Sequence, residues 1–153
     1  MNAASQYLER LLLTVWIGAT WTVGYLVAPL LFQLLDDRML AGRLMGEMFG
    51  LVHIIGAVCA GLLLLIAGFH FGRRALYAWQ IWVLVVMLLL IAIIELSIRP
   101  QMVEMKAQGL FSNAQLAAEF GRLHGISSVC YLVNSLLGLL LIMTGVRGAK
   151  QLA

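Results

Sequence analysis

Charge is what this sequence has least of. Ten basic and seven acidic side chains in 153 residues make 11% of the chain, against about 25% in a soluble domain. With an apolar share of 63% and a mean hydropathy of +0.98, that scarcity excludes an ordinary water-soluble fold. Cysteine is almost absent too: Cys59 and Cys130 both fall inside apolar stretches, which argues against a disulfide framework and leaves them as small core residues. Proline occurs only as Pro29 and Pro100.

The few charges are clumped. Uncharged windows run from Arg10 to Asp36, Glu47 to Arg73, Arg74 to Glu95 and Arg122 to Arg147. A bilayer core needs about 20 apolar residues in a helix, and each window supplies them. The chain is therefore expected to be an all-α integral membrane four-helix bundle, one membrane domain over 1–153 with spans at about 11–35, 48–72, 75–95 and 123–146. Such spans use nearly the whole chain and leave no room for a soluble catalytic domain, a nucleotide-binding loop or a nucleic-acid module. The net charge of +3 comes from Lys and Arg flanking the spans, which is membrane anchoring and points to the lipid bilayer, with no nucleic acid as partner. Glu9 beside Arg10, and no small-residue cleavage site after the first span, argue that this span is not a cleaved signal peptide. Arg10, Arg73, Arg74, Arg147 and Lys150 lie densely on the side of both termini, whereas Arg38, Arg43, Arg99, Lys106 and Arg122 are spread over two acid-containing connections. The density favours both termini in the cytoplasm.

Local signals refine the helices. Pro29 removes one backbone donor in the first span and leaves the Tyr25 carbonyl without its usual partner, so a kink is expected there. Asp36 or Asp37 can cap an amphipathic start to the second helix, with Leu40, Leu44 and Met48 at helical spacing. Trp79 and Trp82 suit the headgroup boundary at the start of the third, and Gly109 is its expected stop. Ser112-Asn113-Ala114-Gln115 matches a capping box opening a fourth helix of roughly 50 Å. Helices 2 and 4 are thus expected to extend beyond the bilayer.

The chain also repeats itself. At an offset of 71, the distance from Pro29 to Pro100, Phe49-Gly50-x-x-His53-x-Ile55-x-x-Val58-Cys59 falls on Phe120-Gly121-x-x-His124-x-Ile126-x-x-Val129-Cys130. Two tandem helical hairpins pointing the same way are expected, with His53 and His124 as mates at the repeat interface.

Glu47, His53, Glu95, Arg99 and His124 all belong to the connection end of such a bundle, and form the candidate site. An ionisable residue within a span is costly and faces protein or water. His53 shares a face with the small residues Gly46, Gly50, Ala57 and Ala60, and His124 with Ser128, Tyr131 and Ser135, so both are expected to face inward. Glu95 and Arg99 stand four apart in the order that favours an ion pair. Helix packing alone also accounts for the small residues and for an interhelical His bond. His70, beside Arg73 and Arg74, reads as an interfacial residue. Met45, Met48, Met102 and Met105, with Met39, cluster at the connection end, where thioethers beside the imidazoles of His53 and His124 would suit Cu(I). Core filling is the ordinary use of such methionines.

Phe120-Gly121-Arg122-Leu123-His124-Gly125-Ile126-Ser127-Ser128 resembles the opening of the last helix in the transmembrane protein 205-like group, which overlaps the bacterial domain-of-unknown-function 4149 families. Gly18-Ala19-Thr20-Trp21, Leu31-Phe32, Met48-Phe49 and Pro100 extend the resemblance over most of the chain. It implies a small four-span protein without an established activity, in a bacterial inner membrane.

Three functions fit these residues. The leading one is non-enzymatic: a bundle whose polar end binds a partner, a lipid or a small solute. A second has His53 and His124 ligating a b-type haem between helices 2 and 4, each with a glycine three residues earlier. A third is soft-metal handling, by a redox or transport component; four helices rarely enclose a path, so it calls for a homodimer or a membrane-protein partner.

Overall fold

The computed structural model describes residues 3–109 and 113–146. Four helices form an up-and-down bundle: α1 Ala3–Leu34, α2 Arg38–Phe71, α3 Trp79–Ala107 and α4 Ala114–Thr144. A 3₁₀ turn, Gly72–Tyr77, joins α2 to α3. Neighbours in the chain pack side by side, and α4 closes back on α1. Helices α1 and α3 therefore stand diagonally opposite, as do α2 and α4.

All four helices are long and apolar enough to cross a membrane. Their outward faces are apolar as well, with Leu51, Ile54, Val58, Leu62 and Leu65 exposed along α2 alone. Soluble monomers seldom carry apolar patches beyond a few hundred Å². Lipid is the solvent such a surface requires, and the protein is an integral membrane protein. Helices α1 and α3 are 32 and 29 residues long, so length does not set α2 and α4, at 34 and 31, apart from them.

Helix α1 begins at Ala3, ahead of the Leu11 start expected from the charges. Glu9 is buried rather than marking a boundary, because its Oε1 accepts the Val146 backbone N–H at 2.7 Å. Its charge thereby satisfies a donor beyond the end of α4. The Asp37 side chain accepts from the Met39 and Leu40 amides to start α2, and Asn113 does the same for α4 with Gln115 and Leu116. Asn113 is therefore the capping residue in place of Ser112, which lies outside the described residues along with Arg147 and Lys150. Gly109 adopts φ +83° just past α3, a conformation glycine reaches without strain.

Both prolines act in the same way. A π-helical turn, Thr22–Val27, precedes Pro29 in α1, and another, Ile94–Ile98, precedes Pro100 in α3. The proline ring crowds the carbonyl four residues earlier, and widening the turn relieves that contact.

The main core lies towards the termini, where Leu13, Trp16, Ile17, Cys59, Ala60, Leu63, Leu84, Met87 and Leu141 interlock. Gly56 makes room for the Trp16 indole: a Cβ there would meet Nε1 and Cε2 of the ring. Without an aqueous hydrophobic effect between helices, such close packing is what holds them together. Asn134 adds a cross-helix bond, its Nδ2 donating to the Met87 carbonyl at 3.2 Å. Towards the connections the core thins to Ile94, Ile98 and Leu123, and polar residues take over.

Candidate functional site

His53 on α2 is buried, at 6% exposure. Its Nδ1 lies 2.6 Å from Glu95 Oε1 on α3. The other oxygen of that carboxylate accepts from Arg99 Nη1 at 2.8 Å, and Arg99 Nη2 reaches Glu47 Oε2 at 3.4 Å. A carboxylate held by a guanidinium is ionised and accepts only, so His53 Nδ1 carries the proton and donates it. The four side chains form a ladder from protein to water: relative exposure rises from 7% at His53 through 24% at Glu95 and 32% at Arg99 to 77% at Glu47.

The backbone sets up this ladder. Glu95 sits inside the π-helical turn Ile94–Ile98. One extra residue in the turn changes which way the following side chains point, and such bulges recur at functional sites. Gly50, one turn before His53, leaves the space that the Arg99 guanidinium fills, since a Cβ there would run into Nη1. Lys106 fastens the same end, with Nζ 3.4 Å from the Gly42 carbonyl and 5.5 Å from the centre of the Phe120 ring.

Tyr131 approaches His53 from α4, ring centre to ring centre 6.2 Å. Its hydroxyl donates to the Thr20 carbonyl at 2.6 Å, beside the π-helical turn of α1. The ring packs edge-on against Phe49 at 5.0 Å and Tyr25 at 6.4 Å, and Tyr25 meets Trp21 at 6.5 Å. Phe49, Tyr25, Trp21 and Thr20 were not among the residues expected at the site. Trp21 and Tyr25, four apart next to Gly24, were the available signal.

His124 and Ser128 do not join the cluster. Both are exposed on α4, where the His124 ring stacks on Phe120 and the Ser128 hydroxyl bonds back to the His124 carbonyl at 2.8 Å. The inward face of α4 runs through Leu123, Asn134, Ser135 and Gly138, with Ser127, Cys130 and Tyr131 half-buried, so the expected strip faces inward at Tyr131 and Ser135 but not at His124 and Ser128. Because α2 and α4 are diagonal and only one histidine is buried, the structure does not assemble His53 and His124 as a facing pair. The methionines are not gathered around them either. Met102 and Met105 pack on the Ile94, Ile98 and Leu123 cluster, Met45 is buried on α2, and Met48 is half-buried. Among the described residues no group of three or more His, Cys, Asp or Glu side chains is placed to hold a metal ion. His70, at the opposite end, pairs with Ser5 Oγ at 3.1 Å.

Beside the ladder runs a groove of about 490 Å³ between α2 and α3, open on the outer face of the bundle. Its walls are aliphatic, Ile54, Ala57, Leu88 and Ala92 among them, and its only polar lining comes from His53 and Glu95.

A family model described as a domain of unknown function, DUF4149, matches residues 11–110. The chain belongs to the DUF4149 family. The match takes in α1 from Leu11 onwards, all of α2 and α3, and every member of the Glu47, His53, Glu95 and Arg99 ladder. It leaves out Phe120 to Cys130, the α4 stretch on which the sequence resemblance leaned most. No curated protein and no solved structure matches the chain.

Proposed function

We propose that this DUF4149 protein is a non-enzymatic binding protein that takes a small bilayer-soluble solute into the groove between α2 and α3, with the solute's polar group at His53 and Glu95. The observation that carries the reading is the composition of the groove: aliphatic along its length, open on the outer face of the bundle, and polar at one end only. Ligand pockets have this character, apolar walls with a few placed polar groups, and His53 supplies a side chain whose orientation Glu95 already fixes. The dense basic residues beside both termini support a bacterial inner-membrane orientation with the termini in the cytoplasm. The polar end then lies towards the opposite side of the membrane.

The test is to purify the protein in mild detergent, extract it with organic solvent and identify retained molecules by mass spectrometry. A ligand held by the wild type and lost from Ala57→Phe, which fills the groove, is the expected result. Identical extracts from both would remove the basis of the reading.

A further inference from the structure

We infer that the groove accepts a neutral quinone-type head on an aliphatic tail, hydrogen-bonded to Nε2 of His53. This rests on the binding role proposed above and assigns its ligand class.

Both carboxylate oxygens of Glu95 are engaged, Oε1 by His53 at 2.6 Å and Oε2 by Arg99 at 2.8 Å. The proton of His53 is thereby held at Nδ1, and Nε2 has no hydrogen-bond partner among the described residues. Neutral imidazole accepts an O–H at Nε2, and imidazolium donates to a carbonyl. The two redox states of one carrier offer these groups in turn, the quinol its hydroxyl and the quinone its carbonyl. An anionic head is disfavoured, because the Glu95 carboxylate lies beside His53 on the wall while the Arg99 guanidinium is shared between Glu95 and Glu47. A cationic head finds both Glu95 oxygens already taken.

Shape points the same way. Ala57 on α2 and Ala92 on α3 leave space for a flat ring among longer aliphatic walls, and about 490 Å³ lies within the range of pockets for molecules of this size. The site binds the head; no electron transfer is assigned to it.

The experiment uses the full chain in lipid nanodiscs, titrated with decylubiquinone while tryptophan fluorescence is recorded. Trp16 lies behind the groove, since a Cβ on Gly56 would meet both its indole and the groove residue Ile91. Saturable quenching is expected. Ala57→Phe should abolish it, and His53→Ala should weaken binding roughly three- to tenfold, the loss of one hydrogen bond. Leu62→Phe, on an exposed part of α2 away from the groove lining, should leave it unchanged. Ala57 is itself exposed, so its variant keeps the test open even if His53→Ala fails to fold. Equal quenching in wild type and Ala57→Phe would mean simple partitioning and overturn the inference. A different molecule retained by the wild type and lost from Ala57→Phe, without saturable quinone quenching, would overturn the quinone assignment while leaving the binding role standing. The absence of both would remove the two together.

Discussion

The link between His53 and Glu95 is the step at which the ladder passes into the protein, and a double-mutant cycle measures it. The variants are His53→Ala, Glu95→Ala and the pair. Hydrogen bonds to charged groups contribute about 1.5–3 kcal/mol in soluble proteins. Cycles within membrane bundles average about 0.6 kcal/mol and reach about 1.7. The contact here is short, 2.6 Å, with His53 at 7% side-chain exposure and Glu95 at 24%. It belongs near the top of the membrane range, so a coupling of about 1–1.7 kcal/mol is expected. Glu119 and Arg122 on α4 supply an internal reference. They are also hydrogen-bonded, but their side chains are 40% and 67% exposed, and the coupling of such a helical surface pair is about 0.3–0.5 kcal/mol. Unfolding in mixed dodecyl sulfate micelles, followed by loss of helicity, gives both values under one condition. A His53–Glu95 coupling no larger than that of Glu119–Arg122 would refute the reasoning, because the pair would then behave as solvated surface groups.

Other outcomes follow from single contacts. Gly56→Ala should destabilise the bundle by about 1–2 kcal/mol, since overpacking against the buried Trp16 ring costs about 1–3 and the helix-propensity gain offsets up to about 1; Gly121→Ala, with nothing within 4 Å, should be neutral or slightly stabilising in the same unfolding assay. Tyr131→Phe removes the donor to the Thr20 carbonyl and should cost about 1 kcal/mol while the ring contact with Phe49 keeps the bundle folded, as near-ultraviolet circular dichroism would report. Asp37→Ala and Asn113→Ala should each cost about 1 kcal/mol, additively because they cap different helices, and a double variant in the unfolding assay checks the sum.

Where charge is costly in lipid, its absence is legible, and the four spans follow directly from the gaps between charged residues. The helices themselves run past those gaps, α1 most unexpectedly, because Glu9 is buried against the Val146 amide, a contact across almost the whole length of the chain that no local pattern records. Glu95, Arg99, Glu47 and His53 were legible as neighbours because alternating helix directions bring their ends together. The facing of α4 was legible only in part. Tyr131 and Ser135 of its expected strip do turn inward, but at the connection end Leu123 and Ser127 take the places expected for His124 and Ser128, a choice that packing against α1 and α3 decides. The aromatic group around Tyr131 was hidden for a related reason. The π-helical turn in α1 departs from the 3.6-residue period on which a helical wheel depends, so the directions of Tyr25 and its neighbours do not follow from spacing.

The two histidines differ although their sequence surroundings match, and the offset of 71 explains why. It places Glu95 on Gly24 and Arg99 on Ala28. Both halves have the proline and the π-helical turn before it, but only Ile94–Ile98 carries an acid, with a base directly after it. His124 therefore has no carboxylate at the equivalent turn of α1 to face, and its ring lies on Phe120 instead. Gly50 and Gly121 tell the same story, the first packed against the Arg99 guanidinium and the second open. Tyr131 completes the difference: its offset mate Ala60 is fully buried in the main core, whereas the Tyr131 ring lies against Gly24, at the position equivalent to Glu95. Between α4 and α1 the space is thus filled by a side chain of the protein itself. Between α2 and α3 the matching place holds an oriented imidazole beside an open groove. A chain that needed only four packed helices could carry the same small and aromatic residues in both halves; among the described residues the acid, the base and the open groove come together between α2 and α3.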